Sequence, residues 1–196
     1  MFSFFKKKPP QNIPNAKPES DLAVFPRLRN QEYMQKLTLM GIASDEQPIS
    51  DELVGDLRLL FGIDKGATFQ LITPPELKEL GQSLESVRNS AVRTTAAVVG
   101  ELRVQTRGAI HRLIGPNSMA GCSILVPSFW EHLEEDLGGP AILAVTSQDE
   151  ILYVRDRPAD VGELREMLSS DEYEDILSSF LYKLDRKGWW AVGAQI

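Results

Sequence analysis

Residues 131–136 hold the densest set of groups able to do chemistry in this chain: Glu131, His132, Glu134, Glu135 and Asp136. On a helix, residues three and four apart share a face, so His132 would lie beside Asp136 and Glu131 beside Glu135. An imidazole with carboxylates at that spacing can ligate zinc or a related metal. A catalytic zinc needs a third protein ligand, and the only other histidine is His111. The two histidines four apart that mark a zincin helix are missing. His132, Asp136 and His111 are thus weak metal candidates, and the pattern fits an exposed polar helix face better than a metal centre.

Nucleophilic chemistry finds even less support. Cys122 is the sole cysteine and could meet His111 if their strands adjoin. Such a pair needs the base within hydrogen-bond reach and an oxyanion donor nearby, and the sequence specifies neither. A cysteine at the head of an apolar run is ordinarily a small core residue. Ser118 and Ser123 lack a Gly-x-Ser-x-Gly setting. Gly62, Gly66, Gly81 and Gly100 are scattered, and Gly138, Gly139 and Pro140 read as a stop signal, so no phosphate-cradling loop is present. No residue is assigned a catalytic role and no cofactor is expected.

Binding features are better defined. The chain carries a net charge of −7, unevenly distributed. Residues 1–20 are net +3, whereas residues 129–176 hold fourteen Asp and Glu against Arg155, Arg157 and Arg165. An acidic surface repels phosphate backbones, which argues against a nucleic-acid partner, and it attracts a basic protein. Trp189 and Trp190 are adjacent, so on a strand they point to opposite faces and only one enters a one-sided core. The other packs under a neighbouring segment or anchors a partner. The expected partner-binding residues are Glu134, Glu135 and Trp190. Asp56 and Arg58 alternate with apolar neighbours and are expected as a solvated pair on one strand face.

Positioning these groups requires an antiparallel α+β fold. Residues 25–40 read as a first helix, with Leu28, Met34, Leu37 and Met40 recurring and Gly41 as the stop. Residues 53–63 read as one strand, answered by residues 68–72 across a turn. Thr73, Pro74 and Glu76 form a helix start with capping-box spacing, and Ser83 opens a helix to about Val99. Val104 and residues 109–114 suggest strand, and so do residues 122–126. A helix follows from Pro127 to about Asp136, then a hairpin of residues 141–146 and 151–154. Asp160 caps a helix to Leu168, and residues 176–184 and 189–192 flank a turn at Asp185–Gly188. Tight turns between strand pairs, with irregularly interspersed helices, give hairpin-built sheet packed by four or five helices in a single domain over 21–196.

The remaining segment, 1–20, carries Pro9, Pro10, Pro14 and Pro18 among polar residues and reads as a flexible basic tail. Phe2, Phe4 and Phe5 before three lysines allow weak contact with an anionic membrane surface and no stable insertion. No apolar run approaches the roughly 20 residues of a bilayer span, and no secretory signal pattern is present. One cysteine asks for no oxidising compartment. A cytoplasmic protein is expected; oligomeric state is not readable.

Three stretches carry a resemblance to a known family: residues 48–64 followed by 69–75, residues 124–130, and residues 141–153. They resemble the uncharacterised bacterial YtpQ-type family over about residues 25–193. The resemblance implies a bacterial domain of unknown function and supplies no activity. The chain departs from the family pattern at Arg93 and Thr94, and at Gln148, Asp149 and Glu150, so no role is carried over there. The functional expectation is a non-enzymatic cytoplasmic interaction module using an acidic face, with a metal-dependent hydrolase around His132 as the alternative.

Overall fold

The computed structural model describes residues 23–65, 68–115, 119–173 and 175–194. The tail expected over 1–20 lies outside them. Among the described residues there are ten strands and five α-helices, arranged as two antiparallel sheets. The α+β architecture built from hairpins is as expected, with the hairpins divided between the two sheets.

The first sheet contains β1 (Val24–Asn30), β2 (Ser50–Val54), β3 (Leu57–Asp64) and β4 (Phe69–Leu71), with β1, β2 and β4 all pairing with β3. Two expectations fail here. Residues 25–30 are strand, not helix. Val24, Pro26 and Leu28 are buried and alternate with half-buried Phe25 and Arg27, and β1 runs antiparallel to β3 from Val24↔Ile63 to Asn30↔Leu57. That long-range pairing overrides the local pattern. The helix α1 (Gln31–Leu39) starts only where the Asn30 side chain accepts from the Tyr33 amide. Likewise, residues 53–63 are not one strand. Gly55, at φ +58°, and Asp56 form a two-residue turn between β2 and β3, with Val54 opposite Leu57.

The second sheet is ordered β10-β9-β7-β8-β6-β5. Its strands are β5 (Arg103–Arg107), β6 (Ile110–Ile114), β7 (Ala141–Val145), β8 (Glu150–Arg155), β9 (Phe180–Asp185) and β10 (Gly188–Ala194). β7 is buried at every position because both of its faces are covered, which is why it reads as an unbroken apolar run. Ala141, Leu143 and Val145 enter the larger core, shared with the first sheet, α3 (Leu84–Val98) and α4 (Pro127–Leu137). Ile142 and Ala144 enter a smaller core under Leu164 and Leu168 of α5 (Pro158–Leu168). α4 and α5 thus lie on opposite faces of the same sheet.

The helix starts expected at Thr73 and Ser83 are present. The Glu76 carboxylate accepts from the Thr73 amide at 2.7 Å, opening α2 (Pro74–Glu79), and Ser83 accepts from the Ser86 amide. Residues 122–126 do not form the expected strand. Gly121–Leu125 is a fully buried 3-10 turn, whose Gly121 amide donates to the Gln148 carbonyl at 2.8 Å. A Cβ at Gly121 would lie 2.9 Å from the Ser147 carbonyl oxygen, so only glycine lets the backbone approach this closely.

Candidate functional site

α4 carries the group that opened the sequence reading. Pro127 occupies its first turn and Gly138, at φ +74°, ends it in the left-handed conformation. Trp130 on the inner side is completely buried, and Phe129, Leu133 and Leu137 pack beside it. That fixes the helix rotation and turns Glu131, His132, Glu135 and Asp136 outward, all exposed. The His132 ring nitrogens lie 3.6 Å from Glu135 and 4.0 Å from Asp136, in solvent-exposed pairs. Glu134 differs from its neighbours: its carboxylate accepts from the Ala141 amide at 2.8 Å and ties the helix to the start of β7. It is occupied structurally, which the sequence reading missed.

His111, on β6, stacks on Tyr153 of β8 with ring centroids 5.0 Å apart, and its Nδ1 lies 3.0 Å from the Thr106 hydroxyl. Tyr153 in turn meets Trp130 edge-on at 5.5 Å. Burial and, secondarily, the Asp136 charge push the Tyr153 hydroxyl up to about 12. Burial holds the His111 imidazole below its ordinary value. Tyr153 thus stands between His111 and Trp130 on the inner side of α4, while His132 and Asp136 are exposed on its outer side. Among the described residues, no three His, Cys, Asp or Glu side chains converge so as to hold a metal ion.

Cys122 and His111 do not form a pair. The Cys122 thiol is buried and donates to the Pro26 carbonyl at 3.6 Å, and burial pushes it up to about 12. A thiol held neutral in this way is a core group and a poor nucleophile. Ser123 is buried in the same 3-10 turn, and Ser118 lies outside the described residues.

The two tryptophans take opposite faces. Trp189 packs edge-on against Trp130 at 5.6 Å and donates its indole N–H to the Ile124 carbonyl at 2.7 Å. Trp190 faces the α5 side and is 43% exposed. It sits opposite Lys183, which bonds Asp156. The acidic residues divide the same way. Glu131, Glu135 and Asp136 belong to α4, whereas Asp160, Glu163 and Glu166 belong to α5 on the opposite face. Glu134, Glu135 and Trp190 are thus not one contact patch.

Asp56 is bonded by three side chains and a backbone amide, and the sequence reading misplaced it. It does not sit beside Arg58, whose partner is Glu52 at 2.9 Å across the β2–β3 hairpin. From the turn of that hairpin, Asp56 accepts from the Tyr182 hydroxyl at 2.8 Å and from the Ser179 amide at 3.1 Å, and the Ser178 and Ser179 hydroxyls also bond it. Tyr182 is fully buried, and its hydroxyl is held well above the ordinary phenol range, chiefly by burial. The network joins the first sheet to β9 of the second. Its sequence separations, 122 to 126 residues, leave no local signal.

Two shallow clefts accompany these groups. One, of about 290 Å³, runs between α1 and the β2–β3 hairpin beside Gln31, Thr38, Gln47 and Arg58. The other, of about 300 Å³, lies beside Arg29, Gln148, Asp149 and Asp175. Neither is lined by a histidine or cysteine. No family model matches the sequence, and comparison with the curated proteins and with the solved structures yields no match. Among the described residues, no helix is long and apolar enough to cross a membrane.

Proposed function

We propose that this chain is a non-enzymatic protein-interaction domain whose contact surface for a basic partner is the outer face of α4. One observation carries the reading. Glu135 and Asp136 are 79% and 58% exposed, and neither they nor Glu131 pairs with a lysine or arginine among the described residues. Exposed carboxylates in a row attract a complementary surface and speed its arrival, with an effect that salt screens. Glu134 supports the surface by fixing the helix to β7 and contributes little to the contact itself. Trp190 is a separate anchor on the opposite face of the second sheet. A cytoplasmic setting belongs to the proposal, and the single buried thiol of Cys122 suits it.

The test uses two forms of the full chain as bait: the natural protein and Glu131→Gln/Glu135→Gln/Asp136→Asn. The natural chain is expected to retain a basic protein at low salt and release it at high salt, with the neutralised chain retaining much less. Equal recovery on both baits would remove the basis of the proposal.

A further inference from the structure

The two edges of the second sheet are finished differently. β10 carries an irregularity between Ala191 and Ala194, with Gly193 at φ +70°, and packs near β2. Bulges and neighbouring chain are standard ways of closing a sheet edge to further pairing. β5 has neither. It pairs with β6 in unbroken register from Arg103↔Ile114 to Arg107↔Ile110, and no described strand lies on its other side. All five of its residues are exposed. Its outer edge therefore presents backbone N–H and C=O groups for another strand.

The side chains define what would fit there. Arg103, Gln105 and Arg107 share one face, as alternate strand residues must, and Arg112 of β6 lies opposite Gln105 on that face. Arg112 is neutralised by the buried Glu150. Arg103 and Arg107 form no ion pair with any described residue. On the other face Val104 is 45% exposed beside Thr106. A second copy of the chain fits this edge poorly. Antiparallel pairing of two β5 strands about Gln105 would set Arg103 directly across from Arg107 of the other copy, and like charges in that position are destabilising. An extended segment with acidic residues four apart would meet both arginines and set an apolar residue against Val104.

We propose that the free edge of β5 docks an extended acidic segment of a partner protein as a seventh strand. Backbone hydrogen bonds supply the pairing, and Arg103 and Arg107 select the sequence. This goes beyond the α4 proposal: it concerns another surface and a partner of opposite charge, and stands without it.

The probe is a short fluorescein-labelled peptide centred on Glu-Thr-Thr-Val-Glu, titrated with the full chain and followed by fluorescence anisotropy. Binding is expected at low salt. Arg103→Glu/Arg107→Glu should weaken it about tenfold or more while leaving the melting temperature unchanged. Arg103→Gln/Arg107→Gln should fall between the two. The same peptide N-methylated at every residue keeps its charges but has no backbone donors, and should not bind. Four results would each overturn the proposal. They are no binding of the parent peptide, unchanged affinity in the charge-reversed chain, equal binding of the N-methylated peptide, and self-association of the charge-reversed chain without loss of peptide binding. The last would make the arginines guards against edge pairing.

Discussion

The six-stranded sheet has a closed end and an open one. At the closed end, β9 and β10 are locked into the rest of the molecule. Trp189 is wedged against Trp130, Tyr182 is fully buried, and Asp56 reaches over from the first sheet to bond both Tyr182 and the segment leading into β9. The fit is tight enough that a Cβ at Gly55 would lie 3.1 Å from the Tyr182 ring. At the open end, β6 is half covered and β5 is exposed along its whole length. Burial falls strand by strand from β7 to β5, so the sheet's contribution to stability is weakest at the β5 end. The other end carries charge that nothing in the described structure neutralises. On the proposed reading, the buried strands β7 to β9 hold the sheet together and the exposed β5 edge is left for recognition.

Substitutions can break this contrast at several points. The largest loss should come from Trp130→Ala. This removes the ring that Trp189, Tyr153 and Phe129 all touch and should cost about 3–5 kcal/mol in urea unfolding. Asp56→Ala comes next, at about 2–3 kcal/mol, because it removes the acceptor shared by the Tyr182 and Ser178 hydroxyls and the Ser179 amide and leaves the two hydroxyls only each other. Asp56→Asn retains part of that bonding and should cost less.

A pH dependence comes from the same interior. Burial raises the Cys122 thiol from 9.0 to about 12, so the folded state holds its proton more tightly than the unfolded chain. Its contribution to stability is complete below about pH 9 and is lost as pH rises toward about 12. Cys122→Ala should therefore flatten the alkaline decline in unfolding free energy relative to the natural chain. Parallel slopes would contradict the buried-thiol account. The smallest effect is expected at the open end. Arg103→Glu/Arg107→Glu should change stability by no more than about 0.5 kcal/mol, since both side chains are exposed and unpaired. A larger loss would mean that β5 contributes to the fold after all.

The legible parts of this chain were those whose determinants are local. Thr73 with Glu76, Ser83, and Gly138 after α4 mark helix ends through contacts within a turn. Ala141–Val145 and Glu150–Arg155 announce a hairpin by composition alone, and so does the turn from Asp185 to Gly188. Strand alternation was enough to say that Trp189 and Trp190 must part company, but not which one faces the core. That choice depends on where α4 sets Trp130. β1 was illegible because its partner β3 begins 27 residues further on, from Asn30 to Leu57. The Gly55–Asp56 turn was hidden inside a run of apolar residues. Reading Asp56 as a strand residue then paired it with Arg58, although its acceptor role depends on residues 178–182. The acidic stretch 129–176 is continuous in sequence, and only the layering of α4 and α5 on opposite faces divides it.

The contrast between the two ends is tested most directly by native-state hydrogen exchange of the unmodified chain, read by mass spectrometry over peptides covering β5, β7 and β9. The amides of β7 and β9 are predicted to exchange only through global unfolding, and those of β5 through local opening at far lower cost. Protection of β5 equal to that of β9 would show the sheet to be uniformly stable and would contradict an open recognition end.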